Sequence, residues 1–308
     1  MIRFLLRRLL TAIPTLLVIA TLAFMLLHLT PGGPFDSDKV LVPQIQHAIE
    51  ARYHLNEPVW SQYLRYLGDL AHGDFGPSFQ YRNTSVNELI AQGLPVDAAI
   101  GGTAMLFALL LGCAIGLVAA TRPGSWRDQL PMGVAMLGIS VPVFVTAPLL
   151  ILVFAMRLQW LPAGDWVAGS WRHLLLPALA LALPYTAYIA RIVRSAAIDA
   201  LSQPYIRSAR AKGLPTHVIV LRHALRPTLM PLVSFLGPAL AGVLTGSIVV
   251  EQVFGLPGIG HLFVTGALNR DYTVVTGITV LYGALIIAFN LLVDLCYAWL
   301  DPRVRART

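Results

Sequence analysis

The chain has 308 residues, of which 56% are apolar and only 12% are charged. A soluble domain carries about 25% charged residues, and several apolar runs here exceed the roughly 18 residues that indicate a membrane-spanning helix. The composition therefore excludes a soluble globular protein and predicts an all-α polytopic membrane protein. The formal net charge is +7, and its uneven distribution along the chain carries information about orientation.

The few chemically reactive residue types do not form a recognisable site. Cys113 and Cys296 both fall inside predicted spans, so no disulfide framework is expected. The eight histidines are scattered, without an HExxH motif or a Cys/His cluster at ligand spacing. We therefore expect no catalytic residue, no metal site and no cofactor in this chain, and no nucleic-acid partner.

An apolar run over 9–29 follows three arginines near the N-terminus. A cleaved signal peptide has an apolar core of about 7–15 residues, whereas this run is about long enough to cross a bilayer at 1.5 Å per residue. Residues 1–30 are therefore predicted to form a first transmembrane helix with a cytoplasmic N-terminus. His28, at its outer end, is expected to be an interfacial histidine rather than a metal ligand.

Residues 31–96 are predicted to form a small extramembrane insert of short helices. A Pro-Gly-Gly-Pro sequence at 31–34 breaks the first helix, and acidic residues outnumber basic ones in the segment that follows. Seven aromatic residues supply apolar area: Tyr53, Trp60, Tyr63, Tyr66, Phe75, Phe79 and Tyr81. These aromatic residues form either the insert's own core or a surface for a partner, and the sequence leaves both alternatives open.

Five further spans are predicted within residues 97–300, which leaves 301–308 as a cytoplasmic tail. Their approximate limits are 98–120, 131–156, 174–193, 228–250 and 274–300. Six prolines lie in the interiors of these spans, and neighbouring helices in a membrane accommodate such kinks by satisfying the freed backbone groups. The pairs Gly112/Gly116 and Gly242/Gly246 have the small-xxx-small spacing that permits close helix contact.

The segment 202–227 is the longest basic, soluble-looking stretch among the spans, and it is predicted to form two short helices around a glycine turn. Ser202 is a suitable N-cap for the first helix, and Gly213 can take the left-handed conformation that ends it. Pro215 prevents continuation of that helix. Thr216 is a suitable cap for a second helix, which ends at position 226.

The basic residues of this segment indicate a docking role. Arg207, Arg210 and Lys212 crowd the end of the first helix, where the helix dipole favours cations. Such an element does not lie in hydrocarbon, so it is predicted at a membrane surface and presented to a partner. Binding to anionic lipid, at about 1 kcal/mol per basic residue, is the simpler alternative. The apolar residues and the glycine break favour a shaped docking surface.

The charge distribution predicts the orientation. Six spans with a cytoplasmic N-terminus place fifteen of the 22 Lys and Arg residues on the cytoplasmic side. Most of the others sit in the long insert, to which the positive-inside rule gives little weight. Both termini and the segment 202–227 are therefore predicted in the cytoplasm.

No nucleotide-binding or catalytic motif is present in the sequence. Neither lysine, Lys39 or Lys212, ends a G-x-x-x-x-G-K-[ST] pattern, and the glycines of GLPGIG at 255–260 are interpreted as a turn. Asp294 is the clear acidic residue within a span, where it either lines a pathway or pairs with a basic neighbour. A self-powered carrier needs several ionisable groups or broken repeats in its spans. We therefore expect an external energy source that is coupled through 202–227.

Several motifs together resemble one family. The runs ARAKGL at 209–214 and RHALRP at 222–227 resemble the cytoplasmic EAA loop of ABC-importer permeases, and more narrowly that of the B-type subunits of peptide permeases. The resemblance covers essentially the whole chain, through RFLLRRLLTAIPTLLVIATLAF, HGDFGPSF, FGLPGIG after Glu251, ALNRDY and DPRVR. EAA loops generally begin with an acidic residue, whereas the equivalent position here is about Arg207. A contact that depends on that acid is therefore not expected.

The resemblance implies a type I ABC importer (MetI-like) permease fold with six transmembrane helices and a small periplasmic helical insert, in a bacterial inner membrane. The implied partners are a second homologous permease, two cytoplasmic ATPases that hold ATP and Mg, a periplasmic peptide-binding protein, membrane lipids and a peptide cargo. The expected function is ATP-driven import of oligopeptides, with dipeptides, a nickel chelate or a modified peptide as alternative cargoes. An autonomous proton-coupled carrier is the alternative from a different class.

The resemblance also implies which residues act. The contact with an ATPase is expected at Arg207, Ala209, Arg210, Ala211, Lys212, Gly213, Leu214 and Arg222. Residues near a gate or along the pathway are expected at Glu251, Gly255, Pro257, Gly258 and Asp294. Closure of the ATPases would move the loop and switch the spans between inward- and outward-facing states.

Overall fold

The computed structural model describes residues 2–29 and 56–300 of the protein, and that part of the chain is helical apart from loops and an isolated β-bridge between Pro77 and Ser85. The helices are α1 Ile2–Leu29, α2 Val59–Ala71, α3 Val86–Thr121, α4 Trp126–Ser140, α5 Val143–Leu150, α6 Trp171–Leu201, α7 Pro204–Ala211, α8 Thr216–Val218, α9 Leu225–Phe254, α10 Ile259–Leu268 and α11 Tyr272–Leu300. Two π-helical turns, Ile151–Arg157 and Ile219–Ala224, extend α5 and join α8 to α9.

The helices form two compact units. Within the described residues, the first unit consists of 2–5, 97–256 and 285–300, and the second unit consists of 6–29, 56–96 and 257–284. The long helices α3 and α11 each contribute residues to both units.

The helix α6 lies at the centre of the first unit, and the Gly112/Gly116 pair brings α3 against it. A Cβ added at Gly112 would lie 2.7 Å from the side chain of Ile189, and one added at Gly116 would lie 2.6 Å from the carbonyl oxygen of Ala190. The predicted close contact at this small-xxx-small pair is thus confirmed. Because the contacting residue numbers rise together, α3 runs parallel to α6.

The helix α4 runs antiparallel to α6. Near the end of α6, Arg194 binds Asp128 in the first turn of α4, with 2.6 Å between Nε and Oδ1. Farther along, Gly138 of α4 lies against the middle of α6, where an added Cβ would be 2.5 Å from the carbonyl oxygen of Leu183. The start of α4 and the end of α6 therefore lie at the same end of the first unit.

The helix α9 is also antiparallel to α6. The rings of Tyr188 and Phe235 lie 5.9 Å apart between their centroids. A Cβ added at Gly242 would lie 2.7 Å from the hydroxyl of Tyr185. The end of α9, at Phe254, therefore lies toward the start of α6.

The predicted span 131–156 is not one helix, because α4 and α5 meet at an angle of 106°. The break falls at Pro142, whose ring disfavours the helical conformation of the residue before it. Val141 is accordingly extended, with φ −102° and ψ 120°. The sequence predicted only a kink at this proline, but in the structure the helix is broken there.

The broken pair α4–α5 nevertheless passes from one end of the first unit to the other. It begins beside the end of α6, at Asp128. The loop after it lies at the opposite end, where the Asp165 N–H donates to the Phe254 carbonyl oxygen at 3.0 Å. Five other helices of the described chain are long and apolar enough to cross a membrane. With the broken pair, they give the six crossings of the predicted all-α polytopic protein.

The helix α3 begins well before the predicted start of its span at position 98. A capping box starts it, since the Ser85 N–H donates to Glu88 Oε2 and the Glu88 N–H donates to Ser85 Oγ, both at 3.2 Å. Its 36 residues extend about 54 Å at 1.5 Å per residue, well beyond a hydrocarbon core of about 30 Å. The last residues of the predicted insert 31–96 therefore form the first turns of α3.

In the second unit, α2 packs along α1. The Tyr63 hydroxyl lies 2.7 Å from Thr21 Oγ1, and the rings of Phe24 and Tyr66 stack with centroids 5.6 Å apart. None of the described residues of α2 is buried, so these tyrosines pack on the first span rather than forming a separate core. The part of the insert at 31–55, with Tyr53, lies outside the described residues.

Asp271 fixes the start of α11 in the second unit. Its carboxylate accepts hydrogen bonds from the Thr273 hydroxyl at 2.9 Å and the Val274 N–H at 3.2 Å, which cap the helix. It also accepts from the Ser78 hydroxyl and, at 3.1 Å, from the Gln80 N–H. The loop between α2 and α3 is thereby held against the start of α11.

Candidate functional site

The element 202–227 has the predicted helix–turn–helix form, with a different start. The helix α7 begins at Pro204, and its N-cap is Gln203 rather than Ser202. Ser202 instead caps the C-terminus of α6, which remains helical to Leu201 and so extends beyond its predicted span. The element therefore follows directly from the central helix of the first unit.

Gly213 ends α7 as predicted. Its φ of +76° is left-handed, a conformation in which L side chains are strained. The Gly213 N–H donates to the Arg210 carbonyl at 2.9 Å, and the Leu214 N–H donates to the Ala209 carbonyl at 3.3 Å. These paired bonds form a Schellman motif. Nothing lies within 4 Å of a Cβ added at Gly213, so the constraint here is backbone conformation rather than space.

The second arm of the element differs from the prediction. Its N-cap is Pro215 rather than Thr216, and the helix does not end at position 226. The range Thr216–Phe254 is one continuous helical rod, formed by α8, the π-helical turn and α9. The second arm is therefore the beginning of a membrane span, and the Gly213 turn is mechanically continuous with that span.

One face of the element is buried in the first unit. Ile206, Ala209 and Ile219 are 0%, 7% and 2% exposed, and they form an apolar cluster with Leu201 at the end of α6. This cluster fixes α7 against both α6 and the rod that follows. Ala209, expected at the contact surface, lies inside and therefore supports that surface rather than forming it.

The opposite face is exposed and basic. The other residues expected at the contact are all exposed: Arg207, Arg210, Ala211, Lys212, Gly213, Leu214 and Arg222. No acidic residue occurs in 202–227, so the element carries only positive formal charge. Tyr205 and Leu221 add exposed apolar area beside these cations. Arginine and aromatic side chains together are typical of protein interfaces.

A partly buried ion pair that the sequence did not reveal lies at the same end of the first unit. Arg194 donates from Nε and from its terminal nitrogen to the two carboxylate oxygens of Asp128, at 2.6 Å each, and Asp128 is 3% exposed. Asp128 Oδ2 also accepts from the Gly124 N–H at 2.8 Å. Arg194 lies about two turns before Leu201, so the pair links the α3–α4 loop to the helix that carries the element.

The sequence analysis did not single out Asp128 or Asp271, although both lie at helix N-termini, where acidic residues have a recognisable sequence pattern. Asp128 follows Ser125 at the Ser-x-x-acid spacing, and Asp271 directly precedes α11. Their distant partners carry no such signal. Arg194 is 66 positions from Asp128, and Ser78 is 193 positions from Asp271.

The turn expected near a gate is confirmed as a turn. Gly255 ends α9 in the left-handed conformation, with φ +64°, and Pro257 leads to Gly258, which is the N-cap of α10. Glu251 lies one turn before the end of α9 and is fully buried. These four residues are thus neighbours along the chain at one end of the rod.

Asp294 does not join them. Gly237 of α9 packs on α11, where an added Cβ would lie 3.0 Å from Asn290 Oδ1 and close to Val293. Asp294 follows directly, so it adjoins the same level of α9. About 21 Å of helix separates Gly237 from Glu251 at 1.5 Å per residue. Glu251 and Asp294 therefore do not belong to one site.

These observations define a class of protein. It is a polytopic helical membrane protein whose central helix is followed by an exposed basic helix–turn–helix. The second arm of that element is the N-terminal part of another membrane span. The arrangement presents a surface to which a soluble partner can bind and from which a movement can reach the spans.

Comparison with known protein families identifies the family. Residues 1–100 match the family described as binding-protein-dependent transport system membrane component, N-terminal, and residues 112–306 match the binding-protein-dependent transport system inner membrane component. The chain therefore belongs to the family of binding-protein-dependent transport system inner membrane components. The family resemblance drawn from the motifs is confirmed.

Similar proteins are transport permeases. The oligopeptide transport system permease protein OppB of Escherichia coli K12 is 51% identical over 305 residues, which cover 99% of this chain and 100% of the relative. OppB of Haemophilus influenzae is 50% identical over the same shares. The dipeptide transport system permease protein DppB of Bacillus subtilis is 42% identical over 99% of this chain and 98% of its own. The chain is accordingly a transport subunit and not an enzyme.

Solved structures support the fold. An inward-facing MetNI methionine ABC transporter contains a chain with a TM-score of 0.58 and 20% identity, which covers 69% of this chain and 96% of that one. A chain of an amino acid ABC transporter with histidines has a TM-score of 0.54 and 19% identity, and the match covers 69% of this chain and 94% of that one. The expected MetI-like permease fold is thus confirmed.

Proposed function

We propose that this chain is the transmembrane permease subunit of an ATP-driven importer that takes up oligopeptides delivered by a periplasmic binding protein. With a second, homologous permease it forms the translocation pathway. The 51% identity to OppB over 99% of the chain supports the cargo class. The 42% identity to DppB supports dipeptides as the second candidate cargo.

The exposed basic face of 202–227 docks on one of two cytoplasmic ATPases, which bind the ATP and Mg. One observation carries this assignment: the element is exposed on one face, clamped to α6 on the other, and continuous with the rod Thr216–Phe254. Movement of the Gly213 turn by an ATPase therefore moves a membrane span directly. The contact residues are Arg207, Arg210, Ala211, Lys212, Gly213, Leu214 and Arg222, and Ala209 anchors them.

Both termini and the element lie in the cytoplasm in this proposal. Basic residues of short loops favour the cytoplasmic side, and the Arg194–Asp128 pair supports a common side for the α3–α4 loop and the element. The insert 31–96 then lies on the periplasmic side of the membrane, beneath the binding protein. The Glu251–Gly258 turn lies at the periplasmic end of its rod, near an outer gate, whereas Asp294 lies nearer the cytoplasmic end of the pathway.

The test of coupling uses Gly213→Val in the assembled importer. The left-handed φ of +76° costs a β-branched residue roughly 1–2 kcal/mol, so the turn is distorted while the buried cluster remains. We expect oligopeptide uptake and cargo-stimulated ATP hydrolysis to fall together, with normal copurification of the subunits. Gly169→Val is the matched control, because Gly169 has φ +77°, open space around it and a position in the loop after α5. Normal uptake by Gly213→Val would contradict the coupling role.

Cross-linking tests the contact itself. In a background without Cys113 and Cys296, we expect Leu214→Cys to cross-link to an ATPase subunit that carries cysteines around its docking cleft. Ala209→Cys, which is buried beside Ile206, is expected to remain unlinked. Cross-linking at neither position in an active complex would refute the docking surface.

Cargo is tested by competition. Uptake of a labelled oligopeptide should be inhibited by other oligopeptides and should require the ATPases and the binding protein. Preferential inhibition by dipeptides would shift the assignment to the second candidate. Uphill uptake driven by a proton gradient in vesicles that contain this chain alone would overturn the proposal.

A further inference from the structure

We infer that α2 is an interfacial membrane helix, which lies in the lipid leaflet at the C-terminal end of α1 rather than in an extramembrane domain. Its partner is the lipid surface itself. The inference goes beyond the proposed transport function and does not depend on it.

The first observation concerns depth. The span Leu10–Leu29 has 20 residues, about 30 Å of helix, which matches the thickness of a hydrocarbon core. The Tyr63 hydroxyl of α2 lies 2.7 Å from Thr21 Oγ1. Thr21 stands about 12 Å before the end of the span at 1.5 Å per residue. The helix α2 therefore contacts α1 at a level within the bilayer.

The second observation is that α2 has three distinct faces. Gln62, Tyr63 and Tyr66 face α1, through His28, Thr21 and Phe24 respectively. An apolar stripe recurs at the spacing i, i+4, i+7 and i+11: Trp60, Leu64, Leu67 and Ala71. A polar stripe follows it, with Ser61, Arg65 and Asp69. A helix with separate apolar and charged faces and a tryptophan on the apolar one is typical of membrane interfaces.

The third observation is exposure. Trp60 is 67% exposed and Leu64 is 50% exposed. On α1, the face beside the one that takes α2 carries exposed Leu22, Met25 and Leu29. The apolar stripe of α2 and this face of α1 thus each lie beside the contact between the two helices, and both carry exposed apolar side chains. The same environment suits both, because a large apolar side chain in water is unfavourable.

The cavity beside α2 has a matching composition. It measures about 380 Å³ and lies between α2, the end of α1 and the start of α11. Aromatic rings of Phe24, Tyr66 and Tyr272 line it together with His28 and Arg65. Aromatic side chains beside polar or charged ones are typical of the membrane–water interface.

The test measures what surrounds the two exposed faces. In the assembled importer, in a background without Cys113 and Cys296, a nitroxide is placed at Leu64→Cys or at Trp60→Cys, and on the polar face at Asp69→Cys. After reconstitution into phosphatidylethanolamine–phosphatidylglycerol vesicles, collision with oxygen is compared with collision with a water-soluble nickel chelate. We expect oxygen to dominate at positions 60 and 64, and the nickel chelate to gain several-fold in relative access at position 69.

Two outcomes would overturn the inference. Equal access of the nickel chelate to positions 64 and 69 would place the apolar stripe in water. Low access of both reagents to 60 and 64 would show that another protein subunit covers the stripe. The two labelled positions on the apolar stripe guard against a single variant that fails to assemble, and copurification of the subunits with each labelled chain establishes assembly.

Discussion

The guanidinium of Arg194, on α6, donates hydrogen bonds to both carboxylate oxygens of Asp128, on α4, at 2.6 Å each. The two side chains differ in their surroundings, because that of Asp128 is 4% exposed and that of Arg194 is 33% exposed. Bidentate charge-assisted bonds of this kind fix geometry as well as adding energy. The pair therefore sets the register between the start of the broken span and the end of the central helix.

Removal of the acid should destabilise the protein more than removal of an exposed charge. In Asp128→Ala, Arg194 loses its partner and the Gly124 N–H loses its acceptor. We expect a loss of about 2–3 kcal/mol, somewhat less than for a fully buried pair because one-third of the Arg194 side chain reaches solvent. The apparent Tm of the purified complex in detergent measures it.

Arg122→Ala is the control for that change. Arg122 is exposed and lies in the same α3–α4 loop, so its removal should leave the apparent Tm nearly unchanged. Equal effects of Asp128→Ala and Arg122→Ala would show that the ion pair contributes nothing specific.

A second prediction concerns the contact between α3 and α6. A Cβ in Gly112→Ala would lie 2.7 Å from Ile189 and 2.9 Å from the Thr186 carbonyl oxygen, and the backbone atom cannot move aside cheaply. We expect a loss of about 1–3 kcal/mol from overpacking. Gly102→Ala on the same helix meets nothing within 4 Å, and should be neutral or slightly stabilising. Apparent Tm values of the two variants decide, and a loss of similar size in both would refute the close contact.

Hydropathy revealed the spans but not the helices that contain them. The length of an apolar run reflects the thickness of the hydrocarbon core. A helix can extend beyond that run as long as its backbone hydrogen bonds are satisfied. The predicted span 174–193 is thus part of Trp171–Leu201, and 98–120 is part of Val86–Thr121. The Ser85–Glu88 capping box was the available signal for the early start of α3.

Prolines show where sequence information ends. Pro177, Pro184, Pro231 and Pro238 remain inside helices, whereas the chain breaks at Pro142. All of them lack a backbone donor, so this property does not decide whether a helix continues past a proline. That depends on tertiary contacts, which a local pattern does not contain.

In the candidate site, too, some features could be predicted from the local sequence and others could not. The turn at Gly213 could be predicted, because a left-handed position between a helix and a proline has a local signature. The burial of Ala209 could not, because it depends on Leu201 and Ile219 reaching the same face of α7. Spacing within an eight-residue helix does not indicate which side its neighbours occupy.

A third prediction tests the anchor at the start of α11. In Asp271→Ala, the buried Ser78 hydroxyl loses its acceptor, the Gln80 N–H keeps only Ser78 Oγ of its two acceptors, and the helix loses its cap. We expect a loss of about 2–3 kcal/mol, and a loop that trypsin cleaves several-fold faster at the exposed Arg82. Ser78→Ala should give a smaller effect in the same direction, since the capping bonds remain. Unchanged cleavage in Asp271→Ala would contradict the role of Asp271 as the anchor of this loop.

The last prediction is a stabilising change. Arg270 has φ +56° at the end of α10, where the Asp271 N–H donates to the Gly266 carbonyl at 2.8 Å in the pattern of a Schellman motif. Glycine adopts this conformation without a Cβ clash, so Arg270→Gly should raise stability by about 0.5–1 kcal/mol and increase the apparent Tm. Asn83 has a similar φ of +57°, but asparagine tolerates it better, so Asn83→Gly should give a smaller gain. A lower Tm in Arg270→Gly would show that the arginine side chain contributes more than its backbone strain costs.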